Sequence, residues 1–186
     1  APTDAQVGAW NAIAAGDHTL VVAPTGSGKT LSAFLWAIDQ LAVRTEATIG
    51  TKVLYISPLK ALAVDVERNL RSPLVGITQT AKRLGLDPPE ISVGVRSGDT
   101  SPADRRLLVR KPPDILITTP ESLFLMLTSS ARESLLDVDT VIIDEVHAVA
   151  GTKRGSHLAL SLERLDNQLA KPAQRIGLSA TVRPHE

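Results

Sequence analysis

The chain alternates between short, almost continuous runs of apolar residues and longer stretches in which apolar positions recur every three or four residues. Most of the short runs lack in-and-out alternation, which is typical of strands buried on both faces of a parallel sheet. Alternation of such strands with helices predicts right-handed βαβ units. The predicted strands lie at 19–23, 53–57, 91–95, 115–119, 140–144 and 175–180.

The longer stretches predict amphipathic helices at 28–43, 59–71 and 155–169. Two further helix starts, Ser101-Pro102 and Thr119-Pro120, have a capping hydroxyl before a proline that suits the first helical position. The predicted fold class is α/β, a doubly wound and mostly parallel sheet with helices on both faces. Because ligands of such sheets bind at the carboxyl ends of the strands, the residues that follow each strand are the candidates for function.

The amino-acid composition narrows the possible functions of the protein only in part. A chain of 186 residues suits one compact domain, and 43% hydrophobic but 3% aromatic content predicts an aliphatic core. Twenty basic residues balance 20 acidic ones, so any polyanion site must be local or built from backbone amides. The chain has no cysteine, no apolar run long enough to span a bilayer and no signal-peptide pattern. We therefore expect a cytoplasmic protein without a membrane partner.

The first strand is followed by a glycine-rich turn, APTGSGKT, at 23–30. Glycines let the backbone N–H groups curl inward toward phosphate oxygens, and the next helix adds its positive end. Lys29 is placed to reach the β- and γ-phosphates, and the Thr30 hydroxyl is placed to bind Mg²⁺. Ala23 stands where the common pattern has glycine, which is a mild departure. The predicted nucleotide-binding residues of this turn are Thr25, Gly26, Ser27, Gly28, Lys29 and Thr30.

The fifth strand ends in two adjacent carboxylates, Asp144 and Glu145, within DEVH. Such a pair at the end of an apolar strand is costly unless a charged group meets it, and a metal ion with phosphate does so. Asp144 is placed to hold Mg²⁺, usually through water. Glu145 is placed to orient and deprotonate the attacking water. ATP and Mg²⁺ are therefore the predicted cofactors, with Lys29, Asp144 and Glu145 as catalytic residues.

Other segments carry weaker signals. The starts of SPLKAL and TTPESL, at 57–62 and 118–123, offer hydroxyls and helix N-termini. These could hold the phosphates of a single-stranded nucleic acid through amides, but plain helix capping explains them equally well. Gln6 could read an adenine edge or lie on the surface. Ser179-Ala180-Thr181 could cap a helix or bond to the carboxylates. For the basic cluster at 105–111 a solvated helix face is the plain interpretation.

Six segments in order resemble the motifs of the first RecA-like domain of a superfamily-two helicase. They run from Gln6 through APTGSGKT, SPLKAL, TTPES and DEVH to SAT. Longer stretches, such as VRSGDTSPADRR and RIGLSATVRP, are similar to the large helicase-related (Lhr) family, and a bacterial member is expected. The resemblance covers nearly the whole chain.

The resemblance implies an ATP-dependent motor that moves 3′ to 5′ along single-stranded DNA. It implies unwinding of duplex DNA or RNA:DNA hybrids in DNA repair, at the bacterial nucleoid. It adds His147 to the nucleotide-binding residues and gives Ser179 and Thr181 a role in coupling nucleotide state to strand grip. The positions that it implies for nucleic-acid binding are Ser57, Pro58, Lys60, Gly98, Asp99, Thr118, Thr119 and Glu121.

The last residue, Glu186, comes soon after SAT, so we expect residues 1–186 to be a single RecA-like ATP-binding domain. The resemblance implies a second RecA-like domain of the same chain, whose arginines reach the γ-phosphate. We expect the domain alone to bind ATP·Mg²⁺ and single strands weakly and to hydrolyse ATP very slowly. Two alternatives stay open: a P-loop ATPase or kinase of another class, and a nucleotide-binding module without activity.

Overall fold

The structure is a computed structural model that describes residues 2–24, 26–44 and 50–180, with the backbone only for 60–64. Within this part, six parallel strands form one sheet in the order β1-β6-β5-β2-β4-β3. The α/β fold class and all six predicted strands are confirmed. The strands are β1 (Thr19–Val22), β2 (Val53–Ile56), β3 (Val93–Arg96), β4 (Ile115–Thr118), β5 (Thr140–Ile143) and β6 (Gln174–Ser179).

Every helix that the sequence predicts is present, one of them much longer than predicted, and two more, at Asp4–Ala14 and Val146–Val149, were not predicted. The third helix was predicted at 59–71, but it continues for twelve more residues, through Pro73. Leu70 is buried in the core and Leu74 and Ile77 pack against it, so burial of this face outweighs the disruption by proline. The helices are α1 (Asp4–Ala14), α2 (Lys29–Ala42), α3 (Lys60–Arg83), α4 (Pro102–Arg110), α5 (Pro120–Leu127), α6 (Val146–Val149) and α7 (Lys153–Asp166), with a 3₁₀ helix at Ser130–Leu135.

Both predicted hydroxyl-proline caps are confirmed. The Ser101 hydroxyl accepts a hydrogen bond from the Asp104 N–H at 3.1 Å, and the Thr119 hydroxyl accepts one from the Ser122 N–H at 3.3 Å. These caps start α4 and α5 soon after the ends of β3 and β4.

The core lies in two aliphatic layers, one on each face of the sheet. Alternate residues of β2 enter different layers: Tyr55 lies with Phe34 of α2, and Leu54 lies with Leu123 of α5. The prediction of an aliphatic core is confirmed, since Phe34 and Tyr55 are its two aromatic members among the described residues. No helix in the described part of the chain is long and apolar enough to cross a membrane.

The register brings the strand ends together at one edge. Val22 at the end of β1 lies beside Ser179 of β6, and Ile56 at the end of β2 lies beside both Ile143 of β5 and Thr118 of β4. The segments that follow these strands therefore share the carboxyl edge of the sheet, where ligands of parallel sheets bind.

Candidate functional site

The glycine-rich turn has the backbone shape of a phosphate loop. Gly26 and Gly28 have φ angles of 82° and 80°, in the left-handed region. Gly28 is also the N-cap of α2, and because it has no side chain, the first N–H groups of that helix keep their capacity to bind an anion. Gln6 lies against the turn: its Nε2 donates to the Gly28 carbonyl at 3.4 Å, and its Oε1 accepts from the Thr3 N–H at 2.9 Å.

Two polar groups inside the loop fit a bound phosphate. The Lys29 ammonium donates to the carbonyl oxygens of Ala23 and Pro24, at 2.6 and 2.9 Å. The Ser27 hydroxyl is buried and has no hydrogen-bond partner among the described residues. A phosphate oxygen could accept from both groups, and charge-assisted bonds to phosphate are stronger than those to neutral carbonyls. Thr25, also predicted here, lies outside the described residues.

The carboxylate pair after β5 is held in a tight turn. Asp144 is buried, its Oδ1 accepts from the Glu145 N–H at 2.9 Å, and its Oδ2 accepts from the Tyr55 phenol. Glu145 has a φ of 47° and is the one non-glycine residue with positive φ in the described part of the chain. This conformation costs about 1–3 kcal/mol and is found mostly at functional sites.

His147 links the carboxylate turn to the end of β6. Its Nε2 lies 3.1 Å from Glu145 Oε2, and its Nδ1 accepts from the Ala180 N–H at 3.2 Å. Nδ1 therefore lacks a proton, and the Nε2 proton faces the Glu145 carboxylate. The Ser179 hydroxyl lies 3.3 Å from the same Nδ1. His147 therefore lies between Ser179 and Glu145. Thr181 lies outside the described residues.

The sequence reasoning did not single out Tyr55, which completes the contact between the phosphate loop and the carboxylates. Its ring is fully buried and stacks on Phe34, with the ring centres 4.9 Å apart. Burial and then the charge of Asp144 raise the pKa of Tyr55, and a hydrogen-bonding interaction with the Thr30 hydroxyl lowers it by less. The phenol is therefore a neutral donor. The sequence did contain a signal for this residue. Tyr55 is the only tyrosine of the chain and lies in a predicted buried strand, where a phenol needs a hydrogen-bond partner.

The donor set fits a magnesium ion that binds together with a nucleotide. The Thr30 hydroxyl and the Asp144 carboxylate both interact with the Tyr55 phenol. No group of three or more acidic, histidine or cysteine side chains that could hold a metal occurs among the described residues. A cation there would need phosphate oxygens and water to complete its shell, as Mg²⁺ usually does.

The predicted nucleic-acid positions divide into buried and exposed ones. The Ser57 hydroxyl donates to the Leu59 carbonyl at 3.0 Å, and the Thr118 hydroxyl donates to the Arg96 carbonyl at 2.8 Å. Both residues are fully buried, so their hydroxyls hold loops in place. Pro58 and Thr119 are buried too, whereas Gly98 and Asp99 are exposed. The side chain of Lys60 lies outside the described part.

Arg96 and Arg105 form a cationic pair behind the exposed loop. Arg105 Nη2 donates to the Gly98 carbonyl at 2.8 Å, so this half-buried residue is not part of a solvated face. Arg96 Nη1 and Arg105 Nε are buried without a hydrogen-bond partner among the described residues. Burial and then the charge of Arg105 lower the pKa of Arg96. Two such cations would be stabilised by a phosphate nearby.

Glu121 forms a two-pronged ion pair with Arg154. Arg154 Nε and Nη2 donate to the two carboxylate oxygens at 2.5 and 2.9 Å. This hydrogen bonding is the main reason why the pKa of Glu121 is lowered. The pair joins the start of α5 to the start of α7. The Glu121 carboxylate, which the family resemblance assigns to nucleic-acid binding, is therefore already paired within the chain.

A cavity of about 460 Å³ lies at the opposite edge of the sheet, where β1, β5 and β6 begin. It is lined by His18, Trp36, Arg44 and Asp139, among others, and by none of the predicted site residues. The candidate site is therefore a surface formed by loops at the carboxyl edge and is separate from this cavity.

Replacing Gly28 by alanine is expected to lower stability and nucleotide binding together. An alanine at a φ of 80° costs about 1–2 kcal/mol. Its Cβ would also lie 2.5 Å from Gln6 Nε2, so the flexible amide would have to move. The thermal unfolding midpoint and the binding of a non-hydrolysable ATP analogue measure the two effects.

Gly8→Ala is the matched control, since this helical glycine has no heavy atom within 4 Å of the added Cβ. The control should raise stability by about 0.5–1 kcal/mol and leave binding unchanged. A Gly28→Ala protein with wild-type stability and binding would contradict the assigned loop geometry.

A parallel sheet with a glycine-rich loop after β1 and a carboxylate pair after β5 defines the class of P-loop nucleotide-binding domains. A family model of DEAD/DEAH box helicases matches residues 3–186. The chain belongs to this family.

Its relatives include much longer proteins. The chain is 72% identical over 187 residues to the Mycolicibacterium smegmatis protein named Lhr helicase/probable uracil glycosylase. It is 58% identical over 189 residues to the Escherichia coli protein named Lhr helicase/uracil glycosylase. These alignments cover 100% and 98% of the chain, which spans 12% of the length of each relative.

A solved structure of a relative has the same fold. The structure of Mycobacterium smegmatis helicase Lhr bound to ssDNA and AMP-PNP matches with a TM-score of 0.94 and 72% identity, over 99% of this chain and 23% of that one. The resemblance drawn from the motifs is thereby confirmed, both for the RecA-like fold and for the likeness to the Lhr family.

Proposed function

We propose that this chain is the ATP-binding motor domain of an ATP-dependent, single-stranded DNA translocase and helicase. The observation that carries the proposal is the series of contacts from Glu145 through His147 to Ala180. These contacts connect Glu145, the predicted catalytic base, with the end of β6. The family resemblance assigns this end of β6, which carries Ser179, to the coupling of nucleotide state to nucleic-acid binding. A P-loop enzyme acting on a small molecule has no evident need for it.

In the proposed reaction the chain's own groups hold the nucleotide and activate water. Lys29 exchanges its carbonyl partners for phosphate oxygens, and the amides at the start of α2 bind the same group. Thr30 and Asp144 are the residues that would hold Mg²⁺, which neutralises phosphate charge when it is bound. Glu145, held next to Asp144 by the turn at the end of β5, accepts the proton of the attacking water as the water oxygen bonds to the γ-phosphorus and ADP leaves.

The nucleic-acid surface is proposed on the neighbouring part of the same edge. The Gly98–Asp99 loop is exposed, and Arg96 and Arg105 add positive charge behind it. This local charge suits a phosphate backbone although the whole chain has no net charge. Ser57, Thr118 and Thr119 serve by shaping the loops, as their buried hydroxyls are already bonded within the chain.

The finer functional statements extend the same proposal. Movement is 3′ to 5′, substrates are duplex DNA and RNA:DNA hybrids, and the work is DNA repair in the bacterial cytoplasm. A second RecA-like domain of the same protein faces the carboxyl edge and supplies the arginines for the γ-phosphate. The likeness to the Lhr family supports these statements.

Arg105→Gln should weaken single-strand binding by the intact protein. The substitution removes one of the two cations and loosens the Gly98 carbonyl, so affinity should fall and depend less steeply on salt. Fluorescence anisotropy with a labelled oligonucleotide at several salt concentrations measures both quantities.

Arg106→Gln is the matched control, because Arg106 is the exposed neighbour on the same helix. The two variants remove the same formal charge from the protein. Equal losses of affinity in both would show that only general charge matters, and would remove Arg105 from the proposed surface.

Strand displacement by the intact protein tests the function. Duplexes with a single-stranded 3′ or 5′ tail, made of DNA or as RNA:DNA hybrids, are supplied with ATP and Mg²⁺. We expect unwinding from 3′ tails for both kinds of duplex. Unwinding from 5′ tails alone would overturn the direction. ATP-dependent phosphorylation of a small molecule without any unwinding would favour a kinase.

A further inference from the structure

Tyr55 holds a buried phenol that none of the roles proposed above uses. Its ring has no exposed surface, and it belongs to the middle of the apolar strand β2. A phenylalanine would fill the same space without the cost of burying a hydroxyl. The hydroxyl therefore needs an explanation in terms of its partners.

The first partner is the Asp144 carboxylate. The Tyr55 phenol donates to Oδ2, while Oδ1 accepts from the Glu145 N–H at 2.9 Å. An aspartate carboxylate rotates easily about its last torsion. With one oxygen held by the main chain and the other by a phenol, Asp144 keeps a single orientation at the end of β5.

The second connection leads to the phosphate loop. The Tyr55 ring stacks on Phe34 with an interplanar angle of 17°, and Phe34 belongs to α2, the helix that starts with Lys29 and Thr30. The same packing that buries the phenol thus fixes it relative to the helix that carries Thr30. β2 lies between β4 and β5 in the sheet, so the ring is held on both sides.

We propose that Tyr55 is a positioning residue for the magnesium ion of the nucleotide site. Its phenol sets the orientation of the Asp144 carboxylate relative to Thr30, the two residues assigned to the ion. Groups that orient a metal ligand typically change metal affinity or activity about 10–100-fold when they are removed. The inference rests on the proposed ATP·Mg²⁺ site and adds a residue outside the helicase motifs.

The test compares Tyr55→Phe with the wild-type intact protein in a binding experiment that needs no turnover. A fluorescent, non-hydrolysable ATP analogue is titrated with MgCl₂, and its binding is also measured in EDTA. We expect the Mg²⁺ concentration at half-maximal binding to rise about tenfold. Binding in EDTA should stay unchanged, because the phenol is not assigned to the phosphates.

Ile117→Val is the control, since Ile117 is fully buried and pairs in register with Tyr55. It trims the same layer of the core without touching Asp144, so its Mg²⁺ midpoint should equal that of the wild type. Phe34→Leu is a second variant, which keeps the phenol but loosens its ring and should shift the midpoint by less than Tyr55→Phe. It serves in place of Tyr55→Phe if that protein does not fold.

The outcomes separate this inference from the function on which it rests. A wild-type Mg²⁺ midpoint in Tyr55→Phe, or equal shifts in Tyr55→Phe and Ile117→Val, would overturn the positioning role and leave the ATP site standing. Wild-type protein that binds the analogue equally with and without Mg²⁺ would overturn both the positioning role and the proposed ATP·Mg²⁺ site. A shift confined to the variants that disturb the phenol supports the inference.

Discussion

Glu145→Gln is expected to reduce ATP turnover by the intact protein by about 10²–10⁴-fold, the range for loss of a general base. Glutamine keeps the size of the side chain and the turn at the end of β5, but it cannot accept the proton of the attacking water. Its amide can still meet His147 Nε2, which lies 3.1 Å from the carboxylate in the native protein. Nucleotide affinity should therefore remain close to that of the wild type.

Steady-state hydrolysis and binding of a non-hydrolysable analogue measure the two sides of this prediction. Glu90→Gln, at an exposed glutamate away from the site, controls for loss of one negative charge. Undiminished DNA-stimulated turnover in Glu145→Gln would remove Glu145 from the role of base.

Lys29→Ala should act at an earlier step and weaken triphosphate binding by about 10²-fold. Truncating one partner of a buried, hydrogen-bonded charge pair costs about 2–5 kcal/mol, and each 1.4 kcal/mol is tenfold in affinity. The folded chain should tolerate the change, since the described partners of the ammonium are only the neutral carbonyls of Ala23 and Pro24. Titration calorimetry with the analogue gives the affinity.

Lys111→Ala, at an exposed lysine beyond the end of α4, is the control for loss of a positive charge. Together with Glu145→Gln, Lys29→Ala separates binding from chemistry. If Lys29→Ala binds the analogue as tightly as the wild type, the glycine-rich turn does not hold the triphosphate.

The strands, and the edge of the sheet to which the candidate site residues belong, could be predicted because both depend on local patterns. Continuous apolar runs identified all six strands, and parallel strands bring their carboxyl ends to one edge. Helix α3 shows the limit of this reasoning. Proline at position 73 usually ends a helix, and only tertiary burial of Leu74 and Ile77 shows why it does not.

The residues that the sequence did not reveal depend on which strands become neighbours. Tyr55 meets Asp144 because β2 lies beside β5, an order that cannot be obtained from the order of strands along the chain. The Arg96 carbonyl accepts the Thr118 hydroxyl hydrogen bond because β3 lies at the edge beside β4. The sequence also did not show which of the predicted nucleic-acid positions are buried. Thr118 and Gly98 both match positions of the helicase motifs, but only Gly98 is exposed.

The central claim is that nucleotide chemistry at Glu145 is connected to a nucleic-acid strand through His147 and the end of β6. ATP hydrolysis by the intact protein, measured with and without single-stranded DNA at saturating ATP and Mg²⁺, tests it most directly. The account predicts turnover that rises steeply with added DNA in the wild type and stays near zero in Glu145→Gln. Turnover that is the same with and without DNA would contradict it.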